Sequence, residues 1–150
     1  MNYLILIHQI ELLPRLFEAV YIPQIVGTEL SASRAPQIVR DWIAAPPSWL
    51  MVEPTPMALA LAPHLDAGER AAIDLAAQLK ADIILIDERP GAAAALAHGF
   101  RVTGTLGVLS EAAAIGLVDL RDALRLLTAT NFRVAPELIR TLLARYTEGQ

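Results

Sequence analysis

"LDAGERAAIDLAAQLKADIILIDE", residues 65–88, sets a capped helix against an apolar run that stops on two carboxylates. Asp66 is a good N-cap residue and Glu69 stands three positions later, the spacing of a capping box. Residues 71–81 are alanine-rich and continue a helix. Ile83–Ile86 is an unbroken β-prone run, as expected of a parallel strand covered on both faces. A helix leading into such a strand is the repeating unit of an α/β fold. Parallel sheets place ligands beyond the carboxyl ends of their strands, where Asp87 and Glu88 lie.

Outward from this unit the chain keeps alternating. Towards the N-terminus, 19–22 is a β-prone run closed by Pro23, and a helix follows to about Ser33, with proline in its first turn. Another helix is predicted over 35–44 before the Pro46-Pro47 break, then a short strand over 50–52. Residues 53–63 read as a loop or a frayed helix. Asn2 to Glu18 has apolar residues at Leu6, Ile10, Leu13 and Phe17, a helical period marred by Pro14, although residues 3–7 alone suit a strand equally. Towards the C-terminus, a helix over 89–98 closes at Gly99, a strand spans 101–103, and Gly104-Thr105 turns into a helix ending near Gly116. Helices are predicted over 120–127 and 136–146. The expectation is one α/β domain over residues 1–150, with a parallel sheet and right-handed crossovers.

Composition narrows the function. The 150 residues are 55% hydrophobic, with a mean hydropathy of +0.45. No apolar run approaches the ~18 residues of a membrane span. The excess apolarity is expected in a core buried on both faces or in an oligomer interface. There is no cysteine, hence no disulfide framework and no thiolate metal site, which fits the cytoplasm. A net charge of −4 means that an anionic ligand would need local help from arginines, a metal or a partner. Dinucleotide, P-loop and serine-hydrolase signatures are absent. His8, His64 and His98 have no ligand spacing.

Three carboxylates stand out, each with a plainer alternative. Asp87 either points into the ligand region or caps the helix starting near Pro90. Glu69 is a catalytic acid or simply the second half of a capping box. Glu29, in "IPQIVGTEL", shares a helix face with Ile22, Ile25, Val26 and Leu30, where an unpaired carboxylate is costly to bury. It either meets a metal or arginine there, or reaches water from the rim. Together the three suit one or two hard divalent cations, since Mg²⁺ binds a few carboxylates and keeps several waters. Such a centre serves phosphodiester hydrolysis.

"LDAGERAAIDLAAQLKADIILIDERPGAAAALAHGFRVTGTLGVL", residues 65–109, resembles a prokaryotic subfamily of PIN-domain proteins related to the VapC ribonuclease toxins. "IELLPRLFEAVYIPQIVGTEL", residues 10–30, and "NFRVAPELIRTLLAR", residues 131–145, are similar to it as well. The resemblance implies a Mg²⁺- or Mn²⁺-dependent endoribonuclease with helices on both faces of a parallel sheet. It also implies a toxin–antitoxin setting, a small antitoxin partner and a homodimer. On the family pattern Glu29, Glu69 and Asp87 are metal-binding and catalytic acids. Gly104-Thr105 matches a turn at the substrate's edge, where a helix N-terminus meets a phosphate.

The family pattern opens with a strand ending in Asp, followed by Ser/Thr-Ser-Pro, whereas residues 1–13 here resemble the helix after that turn. A PIN-like sheet lacking its N-terminal strand is therefore expected. It carries either an active nuclease or a non-catalytic module that keeps only the dimer and antitoxin contacts. A further expectation is that about a dozen residues precede Met1 in the natural chain, forming the strand and its Asp. Without a central strand, buried backbone groups lose partners at about 1–3 kcal/mol each. A chain without it is expected to be poorly soluble or to recruit residues 3–7 as a makeshift strand.

Overall fold

The computed structural model describes residues 1–57 and 62–148. Within the predicted loop 53–63, positions 58–61 lie outside the described residues. The chain folds as α1 (Asn2–Leu6), a 3-10 turn (Ile10–Leu12), α2 (Leu13–Leu16), β1 (Val20–Pro23), α3 (Gln24–Ser31), α4 (Gln37–Ala44) and β2 (Leu50–Glu53). It continues with α5 (Ala67–Leu79), β3 (Ile83–Leu85), α6 (Arg89–Ala97), β4 (Arg101–Thr103), α7 (Thr105–Ala114), α8 (Leu120–Thr128) and α9 (Pro136–Glu148). This is the α/β alternation expected.

Local chemistry explains the boundaries. Asp66 caps α5, its Oδ1 accepting the Glu69 N–H at 2.8 Å. Lys80 ends α5 in the left-handed region at φ 52°, and its N–H reaches back to the Ala76 and Ala77 carbonyls. Asp119 caps α8 in the same manner through the Asp122 N–H.

The N-terminal segment departs from the single helix its period suggested, and residues 3–7 are not recruited as a strand. Helix α1 stops after Leu6, and His8 adopts φ 58°, a left-handed conformation that turns the chain. Pro14 sits in the first turn of α2, where its missing N–H costs nothing. Breaking the helix lets Leu4, Ile5, Ile7, Ile10, Leu12 and Leu13 all face inward, which one straight helix cannot do. They join Val39, Leu109, Leu124 and Leu127 in the largest core cluster.

The sheet is in two halves. Among the described residues β1 pairs in parallel with β2, Val20 opposite Leu50 through Pro23 opposite Glu53. Strand β3 pairs in parallel with β4, Ile83 opposite Arg101 through Leu85 opposite Thr103. The two pairs are separate sheets. Between them lies a slot of about 740 Å³, walled by all of β1 on one side and all of β3 on the other. Close-packed interiors hold few voids larger than a water molecule, so this is an architectural gap. Helix α5 packs against both β1 and β3 and ties the halves together. The order across the molecule is thus β2, β1, slot, β3, β4, with the inner edges of β1 and β3 lacking a strand partner among the described residues.

Candidate functional site

Glu29, Glu69 and Asp87 all line this slot, together with Asp66 and Glu88. Each arrives by a different route. Glu29 is on the last turn of α3, the helix that leaves β1. Glu69 is on the first turn of α5. Asp87 follows β3 directly.

Glu29 and Glu69 are the two slot acids whose carboxyls are raised. Burial pushes both carboxyls above their usual range, with Asp66 adding repulsion to each. For Glu69, the charges of Glu88 and then Glu29 add to that repulsion. Arg34 and the Gly68 N–H, which donates to the Glu29 carboxylate, work in the opposite direction at Glu29. The Glu69 carboxylate accepts the Asp66 N–H, which completes the capping box in both directions. Even so, Glu69 Oε1 is buried without a hydrogen-bond partner. The plainer reading of Glu69 is therefore correct for the backbone, yet it leaves one oxygen unaccounted for.

Asp87 behaves differently. Glu88 is the N-cap residue of α6 and makes no side-chain cap, and Asp87 does not cap that helix either. Its Oδ1 accepts the Thr105 N–H at 2.6 Å and its Oδ2 accepts the Thr105 hydroxyl at 2.7 Å. Asp87 thus caps α7 from 18 positions away, in place of Gly104, which has no side chain to do so. This changes the meaning of Gly104-Thr105. The first N–H of α7 and the Thr105 hydroxyl are already committed to a carboxylate, so Thr105, fully buried, positions Asp87.

A feature that motif reading missed is a glycine against each acid. A Cβ on Gly68 would collide with the Glu29 carboxylate. One on Gly91 would stand 2.6 Å from Glu69 Oε1, and one on Gly104 would stand 2.9 Å from Asp87 Oδ1. The signal in the sequence is faint: Gly68 adjoins Glu69, and Gly91 lies in a helix where alanine would be the better former.

Among the described residues, no three histidine, cysteine, aspartate or glutamate side chains are grouped closely enough to hold a metal ion. Nor is any helix there long and apolar enough to cross a membrane. Asp87 shares the slot with the other two acids, and each of its oxygens accepts one hydrogen bond from Thr105 and keeps a lone pair. Glu29 and Glu69 have the character of cation ligands: two raised carboxyls in one slot, one with a buried, unpartnered oxygen, each seated on a glycine.

Comparison with known proteins agrees with this architecture. No curated protein and no solved structure matches the chain. A family model described as a PIN domain matches residues 1–148. The nuclease-type fold, the short parallel strands and the helices around them follow one pattern, and the chain belongs to the PIN-domain family.

Proposed function

We propose that this protein is a divalent-cation-dependent endoribonuclease, the toxin half of a toxin–antitoxin pair, with Glu29 and Glu69 as the core of its metal site. The observation that carries this reading is the buried, unpartnered Glu69 Oε1 in the slot that the raised Glu29 carboxyl also lines. Carboxylates gathered in one partly dry slot are costly unless a cation joins them. Mg²⁺ or Mn²⁺ suits an all-oxygen donor set without histidine or cysteine. When bound, the cation would supply charge neutralisation and a more acidic water for attack on an RNA phosphodiester.

The chain's own residues do the positioning. The Gly68 N–H orients Glu29. The Asp66 N–H fixes Glu69 while leaving Oε1 open. Thr105 holds Asp87 at the end of β3, where it acts on the same slot. A fourth acid, carried on an extended segment seated between β1 and β3, would bring the donor set to the family pattern.

The test is RNA cleavage with Mn²⁺ by the wild type, Glu29→Gln and Asp87→Asn. Cleavage by the wild type that falls at least about 100-fold in Glu29→Gln is expected, as for loss of a group that stabilises the transition state. Equal activity in all three proteins would contradict it.

One observation favours a second reading. No three-acid group is assembled among the described residues. A PIN-like module that binds its dimer mate and antitoxin without chemistry has the same fold. Such a module would bind no cation, and titration calorimetry with Mn²⁺ separates the two readings.

A further inference from the structure

A second cavity opens on the other side of Asp87. It is a cleft of about 480 Å³, and Ile86 and Asp87 form the wall it shares with the slot. Its contents contrast with the acidic slot. Arg89, the first residue of α6, and Arg133, from the turn ahead of α9, both line it. Leu106, Leu138 and Phe132 supply apolar surface. Phe132 is half-buried and held edge-on by Tyr3, with ring centroids 4.8 Å apart at 83°. Leu138 is 45% exposed although it faces this cleft.

The ion pairs among the described residues are Arg125 with Asp122 and Arg140 with Glu137, both on exposed helix surfaces. Neither Arg89 nor Arg133 joins an ion pair or a side-chain hydrogen bond there, in a chain of net charge −4. A purely apolar ligand would have no use for two guanidinium groups, and a simple anion would have no use for the aromatic and leucine walls. A nucleotide unit uses both. Its phosphate takes the guanidinium forks and its base lies on apolar and aromatic surface, a combination that single-stranded nucleic acid readers share. The volume falls within the ~300–1,000 Å³ of small-molecule sites.

We infer that this cleft is the seat of the nucleotide next to the reacting phosphate, with Arg89 and Arg133 on its phosphate and Phe132, Leu106 and Leu138 against its base. The inference rests on the ribonuclease reading for the identity of the strand and adds where that strand runs: across Asp87, from the acidic slot into the basic cleft. The acids would disfavour a bare phosphate chain, and the arginines give it a side on which to bind.

The experiment is fluorescence anisotropy with a labelled oligouridine octamer, in EDTA so that binding is read apart from cleavage. The proteins are wild type, Arg89→Ala, Arg133→Ala, the double variant, Phe132→Leu, and a control with Arg125→Ala and Arg140→Ala. Circular dichroism confirms that each is folded. The salt dependence of log Kd should flatten by about 0.7 in the double variant, the value for one single-strand phosphate contact, and by less in each single variant. Phe132→Leu should weaken binding at least about fivefold, the low end for loss of one stacked base. The control should match the wild type. An unchanged slope in the double variant, or no binding by folded wild type, overturns the inference. Arginine-dependent binding without Mn²⁺-dependent cleavage would sink the nuclease reading and leave the cleft standing. Cleavage with arginine-independent binding would do the reverse.

Discussion

At the scale of single residues the glycines under the acids carry the sharpest consequence. In Gly91→Ala the new methyl would stand 2.6 Å from Glu69 Oε1 and 3.0 Å from Ile86 Cγ2. The carboxylate is the end of a flexible side chain and moves more cheaply than the core around it. Alanine also gains about 0.5–1 kcal/mol in a helix, which offsets the cost of crowding Ile86. Stability should therefore stay within about 1 kcal/mol while Mn²⁺ affinity drops about 10- to 100-fold, the usual effect of disturbing a ligand's support. Denaturant melts and calorimetry on the same sample check both halves. Unchanged Mn²⁺ affinity would show that Gly91 has no part in the site.

The same residues set a pH dependence. Glu29 and Glu69 have folded-state pKa values raised by burial and by neighbouring carboxylates. A raised carboxyl contributes stability that is full below the unfolded value of about 4.3 and is lost as pH rises through the folded value. At neutral pH without cation the pair should therefore destabilise the fold. Glu29→Gln and Glu69→Gln, which keep the acceptors for the Gly68 and Asp66 N–H groups, should raise Tm at pH 7. That gain should shrink near pH 4, and an equal shift at both pH values would count against the crowding. All three acids were legible in the sequence. Their partners were not, because Asp87 bonding Thr105 is a contact across 18 positions that no local pattern encodes.

At the scale of elements the helix–strand unit of residues 65–88 was the most legible part. Its capping box, alanine run and β-prone run all point to the same local structure, and α5 and β3 follow them closely. The first 18 residues were the least legible. Their apolar spacing fits one helix, but burial of six side chains around His8 outweighs that period. The separation of the two sheets was foreshadowed only through the family pattern. Its physical meaning is clear in the structure: β1 and β3 present parallel edges to a slot whose walls are mostly apolar. An extended apolar segment is the one element that satisfies two such edges at once. Added in trans as a synthetic peptide of about six residues, it should raise Tm in a concentration-dependent way, as any ligand of the folded state does. A polar peptide of equal length should not, and equal effects would mean that the slot does not select a strand.

Over the whole molecule the surface is larger than its mass requires. The accessible area is 8835 Å², against about 7,500 Å² expected for a compact monomer of 16.2 kDa. The slot accounts for part of that excess. Exposed apolar side chains contribute as well, among them Ile115 at 62% and Leu96 at 59%. With 55% hydrophobic residues overall, a homodimer is the economical way to cover such surface. Light scattering across micromolar concentrations should give twice the chain mass, and a monomer throughout would refute the dimer.

Glu29 and Glu69 together should hold one divalent cation, and calorimetric titration of Mn²⁺ into the folded protein at pH 7 reads that binding. One saturable site is expected in the wild type, lost in Glu69→Gln and in Glu29→Gln while both variants remain folded. A wild type without saturable binding, or variants that bind as well as the wild type, would contradict it.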